Sequence, residues 1–238
     1  PDDPTTSTRR VPDYRAELGR DLNGLRLAVA AEDPHAPVEA EIAVAVARAV
    51  AVLGEAGTSV RPVTLPSFEQ LNALRRVVML AECAAFHREQ VAAQRHRYNE
   101  QTVARLDPGF ALSAADYLRA LAARGPVLER FCTETMADAD IVVLPTTPVV
   151  TPRIADTDTG GDAQFVAVAN RIGALLGPFN YLGLPALSLP IGLNAAGLPI
   201  GLQLVARPFA EGLLLRVAAA FDREVGFSLR RPPPIGRA

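Results

Sequence analysis

Residues 186–205 read ALSLPIGLNAAGLPIGLQLV, and this stretch decides the fold. Its two ends are apolar, whereas Asn194-Ala195-Ala196-Gly197 in the middle contains residues that favour turns. Two apolar runs on either side of a four-residue turn closed by glycine predict a β-hairpin, with strands at 186–191 and 200–205. The chain is therefore expected to contain at least one antiparallel pair of strands.

A strand, a helix and a second strand precede this hairpin in the sequence. Residues 25–29 alternate as a strand does, residues 37–55 carry apolar side chains at helical spacing, and residues 59–65 form a second strand. Pro62 favours an edge position for that second strand, because proline cannot donate to a neighbouring strand. The apolar run 140–145 predicts a buried parallel strand. Together these elements predict an α/β fold with a mixed β-sheet flanked by helices.

The rest of the chain is predicted to be helical or irregular. The polar segment 1–23 is expected to be extended and to have no core of its own, and residues 151–163 are expected to form a loop. Gly125-Pro126 should kink or divide the helix in which it falls. The predicted helices are 68–95, 99–106, 113–137, 164–176 and 210–225.

The composition excludes several classes of function. A net charge of −2 provides no basic field that would attract a nucleic acid. A membrane-spanning helix would need a run of about eighteen apolar residues, and the sequence contains no such run. Three scattered histidines and two distant cysteines lack the spacing of a metal site, and nothing indicates a cofactor. The distant cysteines favour a reducing cytoplasm. The chain begins without methionine, so its first residue is interpreted as a cut point.

Two segments that surround the hairpin turn resemble a block of the amidase signature family. They are GPFNYLGLPALSLPIG at 177–192 and GLPIGLQL at 197–204. The family pattern is Asn, two residues, Gly-x-Pro-Ala, then Ser-x-Pro-x-Gly, then Gly-Leu-Pro-x-Gly-x-Gln. Looser matches follow in the family's usual order at Leu22–Arg26, Tyr117, Arg124, Phe131, Asp140, 145–148, Glu211, Leu213 and Leu214.

The resemblance implies the C-terminal half of the amidase signature fold. Residues 1–226 would form a partial amidase domain, and residues 227–238 an extended proline-rich tail. A partial sheet with exposed strand edges would also allow homo-oligomers to form. The implied partner of the full-length enzyme is a small-molecule amide substrate.

The catalytic groups of the family are missing from this sequence. The family uses a nucleophilic serine, a bridging serine and a lysine that accepts the proton, and these lie in its first half. All 24 cationic side chains here are arginines. Arginine stays protonated and cannot act as the base. Cys83 and His87 have i, i+4 spacing, but a small core cysteine is the favoured interpretation. We therefore predict no catalytic residue in this chain and no activity for the chain alone.

The resemblance also implies which residues face the substrate. The apolar residues Leu175, Leu176, Pro178 and Phe179 would line the acyl pocket, and Asn180 belongs to the same loop. No carboxylate occurs between residues 165 and 180, although the glutamine-using branch of the family places an aspartate there. This difference favours an uncharged or apolar acyl group.

Three further residues are candidates for substrate contact. Arg105 falls where relatives can place an arginine that binds a carboxylate, although a solvated helix arginine is the more common situation. Thr146 and Thr147 follow a strand end, where open α/β sheets hold ligands, or they are turn residues. The predicted set is thus Arg105, Thr146, Thr147, Leu176, Phe179 and Asn180.

Three functions remain open at this stage. The favoured one is the C-terminal part of an amide hydrolase that supplies sheet and acyl-pocket wall. The second is a non-catalytic binding or interaction module derived from such an enzyme. The third is one chain of a split enzyme whose partner supplies the serines and the lysine.

Overall fold

The computed structural model describes residues 6–30, 36–157 and 163–227, and its centre is a five-stranded mixed sheet. The strand order is β2-β1-β3-β5-β4, in which β1 is parallel to β2 and β3, and β5 is antiparallel to β3 and β4. The strands are β1 (Arg26–Ala30), β2 (Ser59–Val63), β3 (Ile141–Pro145), β4 (Ala186–Leu193) and β5 (Pro199–Ala206). This arrangement confirms the predicted α/β class, the hairpin and the edge position of the strand that contains Pro62.

Eight α-helices surround the sheet within the described residues. Phe131–Thr135 prolongs the fourth helix as a π-helical segment, and short 3-10 turns occur at Tyr14–Glu17 and Arg95–Arg97. The helices are α1 (Ala40–Glu55), α2 (Phe68–Gln94), α3 (Glu100–Phe110), α4 (Ala114–Arg130), α5 (Ile154–Thr157), α6 (Ala163–Ile172), α7 (Gly177–Leu182) and α8 (Glu211–Val225). None of the helices in the described ranges combines the length and the apolar character that crossing a membrane requires.

Side chains alternate between the two faces of the sheet, and each face buries its own cluster. On one face Leu27, Ile141 and Val143 pack with residues of α1 and α8, such as Leu53 and Phe221. On the other face the cluster contains residues of β1, β3 and β5 together with residues of α2, α7 and the π-helical segment. Its members include Ala28, Phe68, Leu71, Phe131, Val142, Leu144, Phe179 and Val205. The period of two along a strand produces this division, so helices cover both faces.

The hairpin turn has the geometry that its sequence predicts. The backbone N–H of Asn194 donates to the Leu198 carbonyl at 2.8 Å, and Gly197 has φ +77°. The Asn194 side chain accepts hydrogen bonds from the N–H groups of Ala196 and Leu198. An asparagine that bonds nearby backbone and a glycine at positive φ together fix the turn.

Several predicted boundaries differ from the structure. The helix expected from residue 37 begins at Ala40, because Glu39 is its N-cap with extended backbone. The segment 1–23 was expected to be extended, but it includes the 3-10 turn and contributes Leu22, which is 1% exposed, to the core. The loop expected at 151–163 contains α5. Residues 228–238 of the expected tail lie outside the described residues.

Proline occurs inside two helices without dividing them. Pro108 lies in α3, which extends to Phe110, beyond the expected end at 106. Pro126 lies in α4, which is one continuous helix from Ala114 to Arg130. Ser113 is the N-cap of α4, and its side-chain oxygen accepts a hydrogen bond from the backbone N–H of Asp116 at 3.1 Å.

The segment Gly177–Leu182 is a short helix, whereas the family resemblance placed Asn180 in a loop. Pro178 occupies the first turn of α7, where its missing N–H costs nothing, and Gly183 ends the helix with φ +69°. Asn180 therefore lies in a helix and not in a loop. Phe179 and Tyr181 face the interior, and the Tyr181 hydroxyl donates to the Ala120 carbonyl of α4 at 2.5 Å.

Candidate functional site

A cavity of about 420 Å³ lies between α2, α3, α6 and α7. Its wall combines three arginines with apolar side chains and a few small residues. The lining residues are Arg75, Arg76, Met79, Leu80, Ala104, Arg105, Pro108, Val166, Ala169, Asn170, Gly173, Leu176, Gly177 and Asn180. No Asp or Glu belongs to this lining in the part of the chain that the structure describes.

Arg75 is the half-buried cation of the cavity. Its Nε donates to Asn72 Oδ1 at 3.3 Å, and its Nη1 donates to Met79 Sδ at 3.3 Å. Asn72 is held in turn, because its Nδ2 donates to the Ala174 carbonyl at 2.8 Å. A thioether sulfur is a weak acceptor, so these contacts orient the guanidinium without neutralising it.

Electrostatics around Arg75 are unfavourable for its charge. Burial lowers the pKa of its guanidinium, and the like charges of Arg76 and Arg105 lower that pKa further. Arginine stays protonated even so, because the pKa of a guanidinium ordinarily lies far above neutral pH. Among the residues described by the structure, no carboxylate pairs with these three arginines. The cavity is therefore a site of positive potential.

Gly177 at the start of α7 leaves the space that Arg75 occupies. A Cβ at this position would overlap Asn72 Oδ1 and come within 2.5 Å of Arg75 Nε. The close approach of α7 to α2 therefore leaves no room for a side chain at this position unless Asn72 and Arg75 shift. The same approach brings Leu176 and Asn180 to the cavity wall.

Buried aromatic packing fixes α7 in this position. The Phe179 ring is edge-on to Phe68 at 5.6 Å and to Phe131 at 6.0 Å between centroids. Just before α7, the Leu175 carbonyl accepts a hydrogen bond from Nε2 of the buried Gln203 on β5 at 3.1 Å. The floor of the cavity thus rests on a packed interior that is attached to the sheet.

The structure brings together three of the six residues that were predicted to contact substrate. Arg105, Leu176 and Asn180 line the same cavity, although 71 to 75 residues separate Arg105 from the other two in sequence. Phe179 lies instead in the core at 1% exposure, and Leu175 and Pro178 are also buried. Of the apolar wall expected at 175–179, only Leu176 faces the cavity together with Gly177.

Thr146 and Thr147 follow β3 directly, as predicted, but lie apart from the cavity lining. The Thr146 hydroxyl is 2.6 Å from the hydroxyl of Ser188 on β4, and its backbone N–H donates to Gly201. The Thr147 hydroxyl donates to the Val149 carbonyl at 3.0 Å, which is a turn contact. These residues form a separate polar position at the end of the sheet.

Cys83 and His87 do not form a reacting pair in this structure. His87 Nδ1 lies 3.0 Å from the Tyr98 hydroxyl, which in turn donates to Gln90 Oε1 at 3.2 Å. Cys83 is a free thiol on the same helix. The histidine is therefore used to hold the segment after α2 against that helix.

Sequence reasoning missed Arg75 and Arg76, although one signal was present. Phe68 and Leu71 are buried on α2. Arg75 follows Phe68 by seven residues and Leu71 by four, so it lies on the same face of the helix. An arginine on the apolar stripe of an amphipathic helix indicates a buried charge with a specific role. Gly177 could not have been recognised in this way, because the clash that it avoids involves residues about a hundred positions away.

Comparisons with known proteins agree along nearly the whole chain. The family model described as Amidase matches residues 1–215. An amidase of Pseudomonas putida is 30% identical over 237 residues, which cover 99% of this chain and 50% of that protein. A subunit of the glutamyl-tRNA(Gln) amidotransferase of Moorella thermoacetica is 32% identical over 98% of this chain and 51% of its own length.

Solved structures show the same fold. An inhibitor-bound vestigial protein complex, related to the origins of an s-triazine catabolic enzyme, matches with a TM-score of 0.80 and 26% identity over 95% of this chain and 48% of that chain. The 6-aminohexanoate cyclic dimer hydrolase matches with a TM-score of 0.77 and 24% identity over 95% and 50% of the two chains. This chain thus spans about half the length of the relatives that it matches. Because the family model covers most of its residues, the chain belongs to the amidase family, also called the amidase signature family.

Proposed function

We propose that this chain forms the C-terminal part of an amide hydrolase. The reaction converts a carboxylic amide and water into an acid and ammonia or an amine. In this reaction the C–N bond breaks, the carbonyl carbon gains an oxygen from water, and the leaving nitrogen gains a proton. The observation that carries the proposal is the match of residues 1–215 to the amidase family.

The catalytic groups would come from another part of the enzyme. Amide cleavage of the family's kind needs an activated serine hydroxyl and a neutral amine that accepts its proton. The 238 residues contain no lysine, and arginine cannot replace it. Residues 1–226 would then be one part of a larger amidase domain, followed by a tail at 227–238.

The chain would supply the wall that holds the acyl part of the substrate. Arg105, Leu176 and Asn180 are the proposed contacts, because they line one cavity of a size suited to a small molecule. A rigid wall accelerates the reaction by fixing the acyl carbon relative to the nucleophile. Thr146 and Thr147 remain proposed contacts at the sheet end, where the hydroxyl of Thr146 meets that of Ser188.

A reducing compartment such as the cytoplasm is part of this proposal. Cys83 and Cys132 are both free thiols. Unpaired cysteines are the usual state in reducing compartments.

The test compares the 238-residue chain with the product of the coding region extended upstream of Pro1. A fluorophosphonate probe, which reacts with activated serines, should label the extended product and leave the 238-residue chain unlabelled. Only the extended product should release ammonia from a simple carboxamide. Labelling or turnover by the purified 238-residue chain would contradict the division of roles, and an inactive extended product would contradict the proposed reaction.

A further inference from the structure

We propose that the cavity selects acyl groups that carry an anionic carboxylate, and that Arg75 is the residue that anchors it. The substrates would be carboxamides whose acyl chain ends in a second, ionised carboxyl group, such as a monoamide of a small dicarboxylic acid. This inference rests on the proposed function for the statement that the ligand is a substrate. The anion site itself rests on the geometry of α2, α3 and α7.

The arginines elsewhere in the fold show what is unusual about this cavity. Arg26 binds Asp140 at 2.9 Å, Arg95 binds Asp107 at 2.6 Å, and Arg171 lies 3.4 Å from Glu39. These side chains are largely exposed and still have a carboxylate beside them. Arg75 is more buried than they are, yet within the described residues it has two like charges beside it and no carboxylate.

Such an arrangement stores an electrostatic cost that a bound anion relieves. Like charges repel more strongly where water is partly excluded, because the local dielectric constant is lower. A carboxylate placed between Arg75 and Arg105 would reverse the sign of these interactions. The electrostatic energy of the arginines is therefore lower when an anion is bound, as expected of a preorganised binding site.

The free edge of the Arg75 guanidinium has the shape that a carboxylate needs. Its Nε donates to Asn72 Oδ1, and within the described residues its Nη1 has only the weak sulfur acceptor of Met79. The edge formed by Nη1 and Nη2 can thus donate two parallel hydrogen bonds to one carboxylate. Asn72, which is itself held by the Ala174 carbonyl, orients the guanidinium in the space that Gly177 leaves, so that less side-chain entropy is lost on binding.

The remaining wall suits the methylene groups of a short acyl chain. Met79, Val166, Ala169 and Leu176 line the cavity with apolar surface. The missing carboxylate in 165–180 first suggested an uncharged acyl group. Without a carboxylate, this segment cannot bind an amino group of the substrate. A substrate carboxylate is nevertheless favoured, because the described wall of the cavity contains no negative charge that would repel it.

Binding can be measured on the 238-residue chain by isothermal titration calorimetry. The probes are glutarate, which is a dianion, and glutaramide, which has the same carbon chain without charge. Glutarate should bind, its affinity should fall as salt is added, and glutaramide should bind at least tenfold more weakly. Equal affinity for the two compounds, or no binding of glutarate, would overturn the anion site.

Matched variants assign the binding to Arg75. Arg75→Gln should weaken glutarate binding by about tenfold or more, as expected when a charge-assisted hydrogen bond is lost. Arg48→Gln is the control, because Arg48 is an exposed arginine of α1, which contributes no residue to this cavity. Equal losses in the two variants would indicate only a general effect of net charge and would refute the assignment.

A second pair of variants separates binding from folding. Arg75→Lys keeps the charge but cannot form two parallel bonds, so it should bind glutarate with an affinity between those of wild type and Arg75→Gln. Arg105→Gln changes an exposed side chain and should weaken binding less than Arg75→Gln while the melting temperature stays unchanged. If Arg105→Gln abolishes glutarate binding while Arg75→Lys leaves that binding unchanged, Arg75 is not the residue that anchors the carboxylate.

The extended coding product then distinguishes this inference from the proposed function. It should hydrolyse glutaramate, the monoamide, with a higher kcat/KM than glutaramide, and Arg75→Gln should abolish that preference through KM. Hydrolysis of both amides with equal kcat/KM would refute the carboxylate preference and leave the amidase function standing. Glutarate binding without hydrolysis of any amide would refute the amidase function and leave the anion site standing.

Discussion

The end of the sheet where β3 begins and β5 ends, and the cavity between α2 and α7, use arginine in opposite ways. At the sheet end the part-buried Arg207 donates to the carbonyls of Ala139 and Met136, and the exposed Arg26 pairs with Asp140 just before β3. The pKa of Arg26 is raised, chiefly by its hydrogen bond to Asp140. The pKa of Arg75 in the cavity is lowered by burial and by neighbouring arginines.

This difference separates charges that serve folding from charges that serve binding. A guanidinium used for folding meets acceptors that the fold itself supplies. The guanidinium of Arg75 is oriented by the fold, but its charge is left for a ligand. Neighbouring residues of α7 show the same separation, since Phe179 is buried and Asn180 is exposed at the cavity.

The largest effect on stability is expected for a substitution of Phe179, and it tests the contrast between this buried residue and the exposed Asn180 beside it. Phe179→Ala should lower the free energy of unfolding by about 3–5 kcal/mol, because it removes a ring packed against Phe68 and Phe131. Asn180→Ala should change it by less than about 0.5 kcal/mol, since the side chain is exposed. Urea unfolding of both variants measures the difference. Similar small effects would mean that Phe179 is a wall residue and not a core residue.

The next largest effect compares two arginines. Arg207→Ala should lower the free energy of unfolding by about 2–3 kcal/mol, because it removes the hydrogen bonds from a charged donor to the Ala139 and Met136 carbonyls. Arg75→Gln should leave the protein within about 0.5 kcal/mol of wild type or make it more stable, because it removes a repelled charge. Urea unfolding applies here too. A large loss at Arg75 would assign that residue to folding and break the comparison.

The smallest effect concerns pH and Asp140. Hydrogen bonding from the Arg26 side chain holds the pKa of Asp140 below its usual range, against an opposing effect of burial. A carboxyl group whose pKa is lowered by folding stabilises the protein above its unfolded pKa of about 3.9, and that stability is lost as pH falls through the folded pKa. The unfolding free energies of wild type and Asp140→Asn should therefore differ by a constant amount near neutral pH and converge in acid. A difference that does not depend on pH would contradict this mechanism.

Much of the sheet could be predicted from sequence, because its signals are local. The hairpin at 186–206 follows from two apolar runs and from the chemistry of Asn194 and Gly197 at the turn. The parallel strands β1, β2 and β3 follow from short apolar segments bounded by polar residues. The family block overlaps the same region, so fold and family were recognised from the same residues.

The cavity could not be predicted in the same way, because its parts meet only in three dimensions. Residues from 75 to 180 converge on it from four helices, and no short pattern encodes their distances. The helix α7 was also missed, since Pro178 and Gly183 resemble loop residues, although they are suited to the first turn and the end of a helix. Arg105, Leu176 and Asn180 were selected through the family resemblance, which transmits spatial information that a single sequence lacks.

Because Gly177 has no side chain, a substitution at this one position could change the specificity for the acyl group. A single added methyl group would push Asn72 and Arg75 out of their present places. Evolution or a protein engineer could thus move the cationic centre without replacing any charged residue. A library of substitutions at position 177 should accordingly yield variants that prefer neutral acyl groups over acidic ones, without any change in the catalytic groups.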